Sequence, residues 1–323
     1  MRIAHLHARP YLGPNDLRAM TRLLSVAWNG PRRPLVPMTP GDLEWWVALA
    51  GPDVDLAGRI RLWERGGDLV GWAWFKPPNG LDWFVSDDVE AAERGAVVDE
   101  LFAWHAEAAR AWLVEHPADN VPAPTAVEAW AADDSPEAAD LRSRGWSPGE
   151  TLLSQYHQPL DLELDAPRVP ESYVLRTMRG PDDIPARVEV HRAAFAPSKL
   201  SVEKYELLVR QPHYAFDRDL VIEAPDGTFA AFAMCWADPL GSIGEFEPVG
   251  VHPDHQRRGL GRVVMRHGLR LLRASGIRDA LVFSHRANTA SEALYRSAGF
   301  DLVATHRNWT RPLAPAPPIQ SPG

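Results

Sequence analysis

The strongest constraint on this 323-residue chain is that it repeats itself. ADLRSRGW (139–146) and EALYRSAGF (292–300) set Gly145 and Gly299 154 residues apart. Each glycine closes a short helical pattern and opens a strand-like run ending in Pro-Leu, at Pro159-Leu160 and Pro312-Leu313. GGDLVGWAWF (66–75) and DGTFAAFAMC (226–235) read as matching hairpins, because Gly66-Gly67 and Asp226-Gly227 are tight-turn pairs between apolar runs. Each half begins with a strand-like run and then a helical stretch, 14–28 and 181–195. Four features in one order imply a duplicated α/β unit, a mixed central sheet flanked by helices in each half.

Periodicity and turn signals predict strands 173–178, 218–224, 228–237, 242–251, 279–284 and 300–310 in the second half, with helices 181–195, 201–210, 259–275 and 289–298. The first half reads alike: strands 2–7, 58–64, 68–75, 80–85, 126–131 and 147–158, with helices near 14–28, 40–49, 95–114 and 135–144. The expected domains are 1–162 and 170–313, meeting in the polar, proline-bearing stretch DLELDAPRVPES (161–172). The tail at 314–323 is Pro-rich and lacks the donors for a regular hydrogen-bond ladder.

Composition narrows the function classes. Hydrophobic residues make up 45% of the chain and charged residues 24%, the balance of a folded protein. A net charge of -9 disfavours a general nucleic-acid binder. The single cysteine, Cys235, excludes an internal disulfide, and the histidines lack metal-ligand spacing, so no metal is expected. The first residues lack a signal-peptide apolar run, and no segment reaches the roughly 18 apolar residues of a membrane span. A cytoplasmic protein without membrane partners is expected; its oligomeric state is open. Most of the 13 tryptophans fall in the first half and are expected to serve packing.

The chemistry concentrates in GEFEPVGVHPDHQRRGLGRVVMRHGLRLLRASG (244–276). A strand and a short turn lead into QRRGLG (256–261), which opens a long helix. Glycines let a ligand approach the backbone, and a helix start offers free N–H groups and a positive dipole end to a phosphate. Leu260, Val264, Leu271 and Leu272 form the expected buried stripe, and Arg262, Arg266, Arg270 and Arg273 fall on another face. Residues 252–278 hold seven arginines and one acid, Asp254. His252 and His255 read as turn residues.

Together with NTASEALYRSAGF from Asn288, the pattern V-x-V-x-P-x-x-Q-R-R-G-L-G closely resembles the GNAT N-acetyltransferases over residues 170–313. The tandem layout, one copy worn, is similar to the mycothiol synthases in architecture. The resemblance implies acetyl-CoA as co-substrate, its pyrophosphate held by Gln256, Arg257, Arg258, Gly259, Leu260, Gly261 and Arg262. It implies that Val249, Gly250 and Val251 bond the pantetheine arm, with the Val249 N–H polarising the thioester carbonyl. Pro248 within that strand predicts a bulge or splayed edge. Asn288 matches a cofactor-contacting asparagine and is equally placed to cap the helix behind it. Tyr295 occupies the general-acid position; Glu245 matches the base, and Glu247 shares its strand face and is an alternative.

The matching stretch of the first half, 87–115, keeps Arg94-Gly95 but holds eight acids and two arginines, and Leu141 stands where the second half has Tyr295. That half is expected to be a degenerate copy without acetyl-CoA. The expected activity is acetyl transfer to the primary amine of a small molecule or antibiotic-like metabolite, entering over FAPSKLSVE (195–203). A non-catalytic acyl-CoA sensor and a protein N-acetyltransferase are the alternatives.

Overall fold

The computed structural model describes residues 6–117, 124–161 and 163–313; the Pro-rich tail and most of the strand expected at 2–7 lie outside the described residues. In chain order the first half runs β1 (Leu6–Pro10), α1 (Pro14–Trp28), α2 (Pro40–Ala50), β2 (Ile60–Arg65), β3 (Asp68–Lys76), β4 (Gly80–Val85), α3 (Ala91–Glu115), β5 (Ala126–Ala132), α4 (Pro136–Ser143) and β6 (Ser147–Pro159). The second runs β7 (Val174–Thr177), α5 (Ile184–Ala194), α6 (Val202–Leu208), β8 (Asp219–Glu223), β9 (Phe229–Asp238), β10 (Ile243–Val251), α7 (Leu260–Ala274), β11 (Asp279–His285), α8 (Thr289–Ala298) and β12 (Asp301–Pro312).

Local chemistry accounts for the boundaries. Gly66 and Gly67 take φ of 62° and 95° in the β2–β3 turn, conformations costly for any residue with a Cβ. At the β8–β9 turn the Asp226 carboxylate accepts the Thr228 N–H at 3.0 Å. Ser135 and Ser201 cap α4 and α6 by accepting backbone N–H groups. Gly145 and Gly299 hold left-handed φ of 77° and 109° just after α4 and α8, so the repeat preserves a helix stop.

The chain divides into two compact units, and they are not the two sequence halves. The first unit comprises residues up to Met20, Asp55–Leu152 and the chain from His306 onward. The second comprises Thr21–Val54 and Leu153–Thr305. Boundaries at 1–162 and 170–313 therefore miss two transfers. Residues 21–54, with helix α2, join the second unit, and the closing strands are exchanged. The end of β12 pairs antiparallel with β5, from His306↔Ala132 to Pro312↔Ala126. The end of β6 pairs antiparallel with β11, from Leu153↔His285 to Pro159↔Asp279. Strands β6 and β12 occupy equivalent places in the repeat, and each closes the sheet begun by the other half.

Within the first unit the order is β1-β2-β3-β4-β5-β12, antiparallel except for the parallel β4–β5 pair. Its core is aromatic: Trp63, Trp83, Phe102, Trp146 and Trp309 pack around α3, as expected for the tryptophan-rich half. Within the second unit the order is β7-β8-β9-β10-β11-β6, with only β10–β11 parallel. One core layer joins α7 to the sheet through Leu260, Val264, Leu269, Leu272 and Phe246. Leu271, expected in that stripe, is only partly buried, and Leu269 takes its place. A second core layer joins α2, α5 and α6 through Trp45, Val188, Tyr205, Leu208, Phe232 and Trp236.

Candidate active site

Strand β10 positions the site by losing one partner. Its parallel pairing with β11 covers only Ile243–Glu245 against Asp279–Leu281, yet both strands continue beyond. Pairing with β9 persists through Val251↔Ala231, with a register break between Phe246 and Val249. The break falls at Pro248, which has no N–H to donate to a ladder. From Glu247 to Val251 one edge of β10 is therefore open. Gly250 is needed because a Cβ there would stand 2.4 Å from Phe232 Cζ and 2.9 Å from Ala194 Cβ.

The open edge forms one wall of a cleft of about 550 Å³. Val249, Gly250, Val251, Gln256, Arg257, Gly259, Leu260, Gly261, Arg262 and Asn288 line it, together with Ser291 and Leu294 of α8. Arg258 is absent from this lining, and its guanidinium donates to Tyr173 Oη at 2.8 Å. Gly259 sits at φ 79°, immediately before α7. A Cβ on Gly261 would press to 3.1 Å from Leu294, so the glycine lets α7 and α8 approach at the cleft. The α7 start presents unbonded N–H groups to this space. Asn288 is the N-cap of α8, its Oδ1 accepting the Ser291 N–H at 3.2 Å, and it also borders the cleft. His252 and His255 are turn residues: His252 Nδ1 accepts the Asp254 N–H at 3.3 Å, and the His255 ring meets Tyr173 Oη at 2.9 Å.

Tyr295 is buried on α8, its ring edge-on to Tyr156 at 5.5 Å. Burial, with the Glu247 charge adding to it, raises its hydroxyl above the ordinary value, so the group stays protonated at neutral pH. Ser291, one turn earlier on α8, borders the cleft. The two carboxylates of β10 differ. Glu245 is 1% exposed and accepts a hydrogen bond from the Thr39 hydroxyl. Burial first, then the Asp42 charge, pushes its carboxyl well above the usual range. Glu247 is partly exposed, and burial together with Asp42 pushes its carboxyl up to about 8. Neither Glu247 nor Tyr295 is among the residues that line the cleft: Glu247 lies on β10 two residues before Val249, Tyr295 lies on α8 next to Leu294, and Glu245 is enclosed more deeply.

What encloses Glu245 is α2, which sequence reasoning did not connect to the site. Thr39 and Asp42 form a capping box: Asp42 Oδ2 accepts the Thr39 N–H at 2.7 Å, and Thr39 Oγ1 accepts the Asp42 N–H at 3.3 Å. Gly41 lets this turn lie flat on Trp236, where a Cβ would stand 2.5 Å from the indole Cγ. The Trp236 indole N–H in turn donates to the Glu247 carbonyl at 2.7 Å. One turn on, buried Glu44 receives the His213 backbone N–H at 2.9 Å and faces His213 Nδ1 at 2.6 Å. Burial opposes a charge on His213, but Glu44 and then Asp238 outweigh it and raise its pKa. The Thr-x-x-Asp pattern at 39–42 marks a helix start in the sequence, but no local signal says where that helix docks. On the α5 side, Phe195 and Ala194 border the cleft. His191 behind them is lowered to about 3 by burial and the Arg187 charge and serves as a neutral ring against Phe195, 4.9 Å between centroids.

The comparisons agree with this geometry. Residues 188–300 match the Acetyltransferase (GNAT) family. The mycothiol acetyltransferase of Thermobispora bispora is 34% identical over 182 residues, 54% of this chain and 62% of that protein. That of Saccharopolyspora erythraea is 30% identical over 259 residues, 73% of this chain and 80% of that protein. In three of the relatives the chain spans only 61–63% of their length. Among solved structures, a tandem GNAT protein from the clavulanic acid biosynthesis pathway superposes with a TM-score of 0.64 at 18% identity, over 97% of this chain and all of that one. A GCN5-related N-acetyltransferase from Sphaerobacter thermophilus gives 0.63, also at 18% identity, over 96% of each chain. Those two establish the fold alone. The chain belongs to the GNAT acetyltransferase family. Within it, the architecture is the tandem, mycothiol-synthase-like type.

Proposed function

We propose that the chain is an acetyl-CoA-dependent N-acetyltransferase acting on the primary amine of a small molecule. The observation that carries this is a cleft walled by the open edge of β10 and the glycine turn of α7, with Glu247 and Tyr295 on two of the elements that border it. The cleft fits acetyl-CoA: its volume suits a long flexible ligand, its β10 wall is unpaired backbone, and Gly259 keeps the helix start free of side chain. Gln256, Arg257 and Gly259–Arg262 would hold the pyrophosphate, without Arg258, and Val249–Val251 the pantetheine arm. Bound acetyl-CoA supplies the activated acetyl group.

Glu247 takes the proton from the ammonium form of the acceptor, and its raised pKa matches that task near neutral pH. The Val249 N–H donates to the thioester oxygen as negative charge gathers there. The freed amine attacks the thioester carbon; as the C–N bond forms and the C–S bond breaks, Tyr295 gives its proton to the departing sulfur and its oxygen recovers one from the second amine N–H. Glu245, enclosed with Thr39 and Asp42, acts as a positioning residue. Glu247 in its ionised form favours a cationic acceptor, which fits an amine.

The first unit fits a worn copy. At the start of α3 the guanidiniums are already taken: Arg94 bonds Asp140 at 2.9 Å, and Arg144 bonds Asp99 at 2.6 Å and the Gly95 carbonyl at 3.1 Å. An anion there would have to displace carboxylates.

Turnover tests the reading. Thiol release from acetyl-CoA is followed over an amine panel beginning with the acceptor of mycothiol acetyltransferases and including peptide N-termini, with Tyr295→Phe and Gly259→Asp alongside. Turnover on a small amine, slowed by Tyr295→Phe, with CoA binding lost in Gly259→Asp, supports it. Tight CoA binding without turnover on any amine points instead to an acyl-CoA sensor; unchanged CoA affinity in Gly259→Asp overturns the loop assignment.

A further inference from the structure

A second cavity, of about 400 Å³, opens beside the cleft, on the linker side of α7. Arg168 and Asp165 of the linker line it, with Arg258, Arg262 and Arg266 from the start of α7. Four guanidiniums face one carboxylate there, an imbalance the chain's net charge of -9 conceals. Two of the arginines have internal work. Arg266 reaches Asp165 at 3.4 Å, and Arg258 donates to Tyr173 Oη at 2.8 Å and to the Asp254 carbonyl at 3.3 Å. Together with Arg270, which donates to the Leu164 carbonyl at 2.5 Å, they fasten the linker along α7. Arg168 and Arg262 have no hydrogen-bond or ion-pair partner among the described residues and line the same cavity.

A linker docked along an arginine-rich helix, adding an arginine of its own, holds like charges near one another. The arrangement suits a compact dianion, which guanidinium pairs grip through charge-assisted, bidentate hydrogen bonds. The cavity adjoins the first cleft: Gly259 and Arg262 border both. A ligand whose pyrophosphate rests over Gly259 therefore has this cavity within reach of its next phosphate.

We infer that the linker cavity, through Arg168 and Arg262, binds a phosphomonoester dianion, the 3′-phosphate of the coenzyme held in the adjoining cleft. The inference rests on the acetyl-CoA reading of that cleft and adds the linker as a specificity element. It makes the enzyme a discriminator between CoA and 3′-dephospho-CoA, with the deciding residue outside the glycine loop.

Equilibrium titration of the full chain with CoA and with 3′-dephospho-CoA tests it, for the wild type, Arg168→Ala and Arg168→Lys. Arg168 is exposed, and thermal unfolding verifies that the variants remain folded. The wild type should prefer CoA by about tenfold or more, the scale of one charge-assisted contact. Arg168→Ala should lose most of that preference by weakening CoA alone, and Arg168→Lys should keep part of it. Inorganic phosphate should compete with CoA and leave 3′-dephospho-CoA unaffected. Equal wild-type affinities overturn the inference while leaving the acetyl-CoA reading intact. Full discrimination in Arg168→Ala, or phosphate bound without competing with CoA, also overturns it. Binding of neither nucleotide overturns the acetyl-CoA reading and this inference with it.

Discussion

Glu247→Gln separates the proposed base from every other ionisation in the site. The Glu247 carboxyl rises from its ordinary 4.5 to about 8 on folding. Between those values the native state keeps its proton while the unfolded chain has lost it, so the wild type loses stability as pH climbs from about 4.5 to 8. The shift corresponds to a ceiling of about 5 kcal/mol. Because the residue is partly exposed, solvent screening reduces this to about 2 kcal/mol. Glutamine cannot ionise and escapes the loss. The Tm of Glu247→Gln should equal that of the wild type near pH 4.5 and exceed it by about 5 °C at pH 8. Activity should move the other way. Wild-type kcat/KM should fall tenfold per pH unit below about 8. In Glu247→Gln that limb should vanish and the plateau drop by about 10²–10⁴. The amine contributes a limb of its own, but the variant retains it, so the difference profile reports Glu247. A Tm gap independent of pH, or an unchanged acid limb in the variant, refutes the assignment.

Three further outcomes follow from the packing around the site. Gly41→Ala drives a Cβ into the Trp236 ring and should destabilise the second unit by about 1–3 kcal/mol, read by thermal unfolding; an unchanged midpoint would place α2 elsewhere. Glu44→Gln removes the main support for the His213 charge, so the NMR titration of that ring should move down, and an unmoved titration contradicts the pairing. Asp219→Ala leaves Arg187 buried without its partner at 3.0 Å and strips the Tyr205 and Tyr214 hydroxyls of their acceptor. It should cost about 3–5 kcal/mol in denaturant unfolding, and a cost under 1 kcal/mol would show the ion pair to be dispensable.

The sequence by itself determined the elements and the cofactor loop. Helix and strand bounds follow from local periodicity, caps and turn glycines, which act over a few residues. Hence α1, β3, β4 and α8 stand where their patterns place them, with ends differing by a residue at most. The glycine turn at 256–261 and the splay at Pro248 were legible for the same reason: each is a short motif whose geometry is built into its spacing. Partner choice was decided by the tertiary structure alone. Strands β6 and β12 are repeat equivalents, and long-range packing places each at the close of the sheet begun by the other half. The same holds for α2, whose capping box announces a helix but not its destination. Its docking on Trp236 buries Glu245, sets Asp42 beside Glu247 and leaves Glu247 as the accessible carboxylate. Burial and neighbouring charge set a carboxyl group's proton affinity, and both come from residues some two hundred positions away in the chain, beyond the reach of any local pattern.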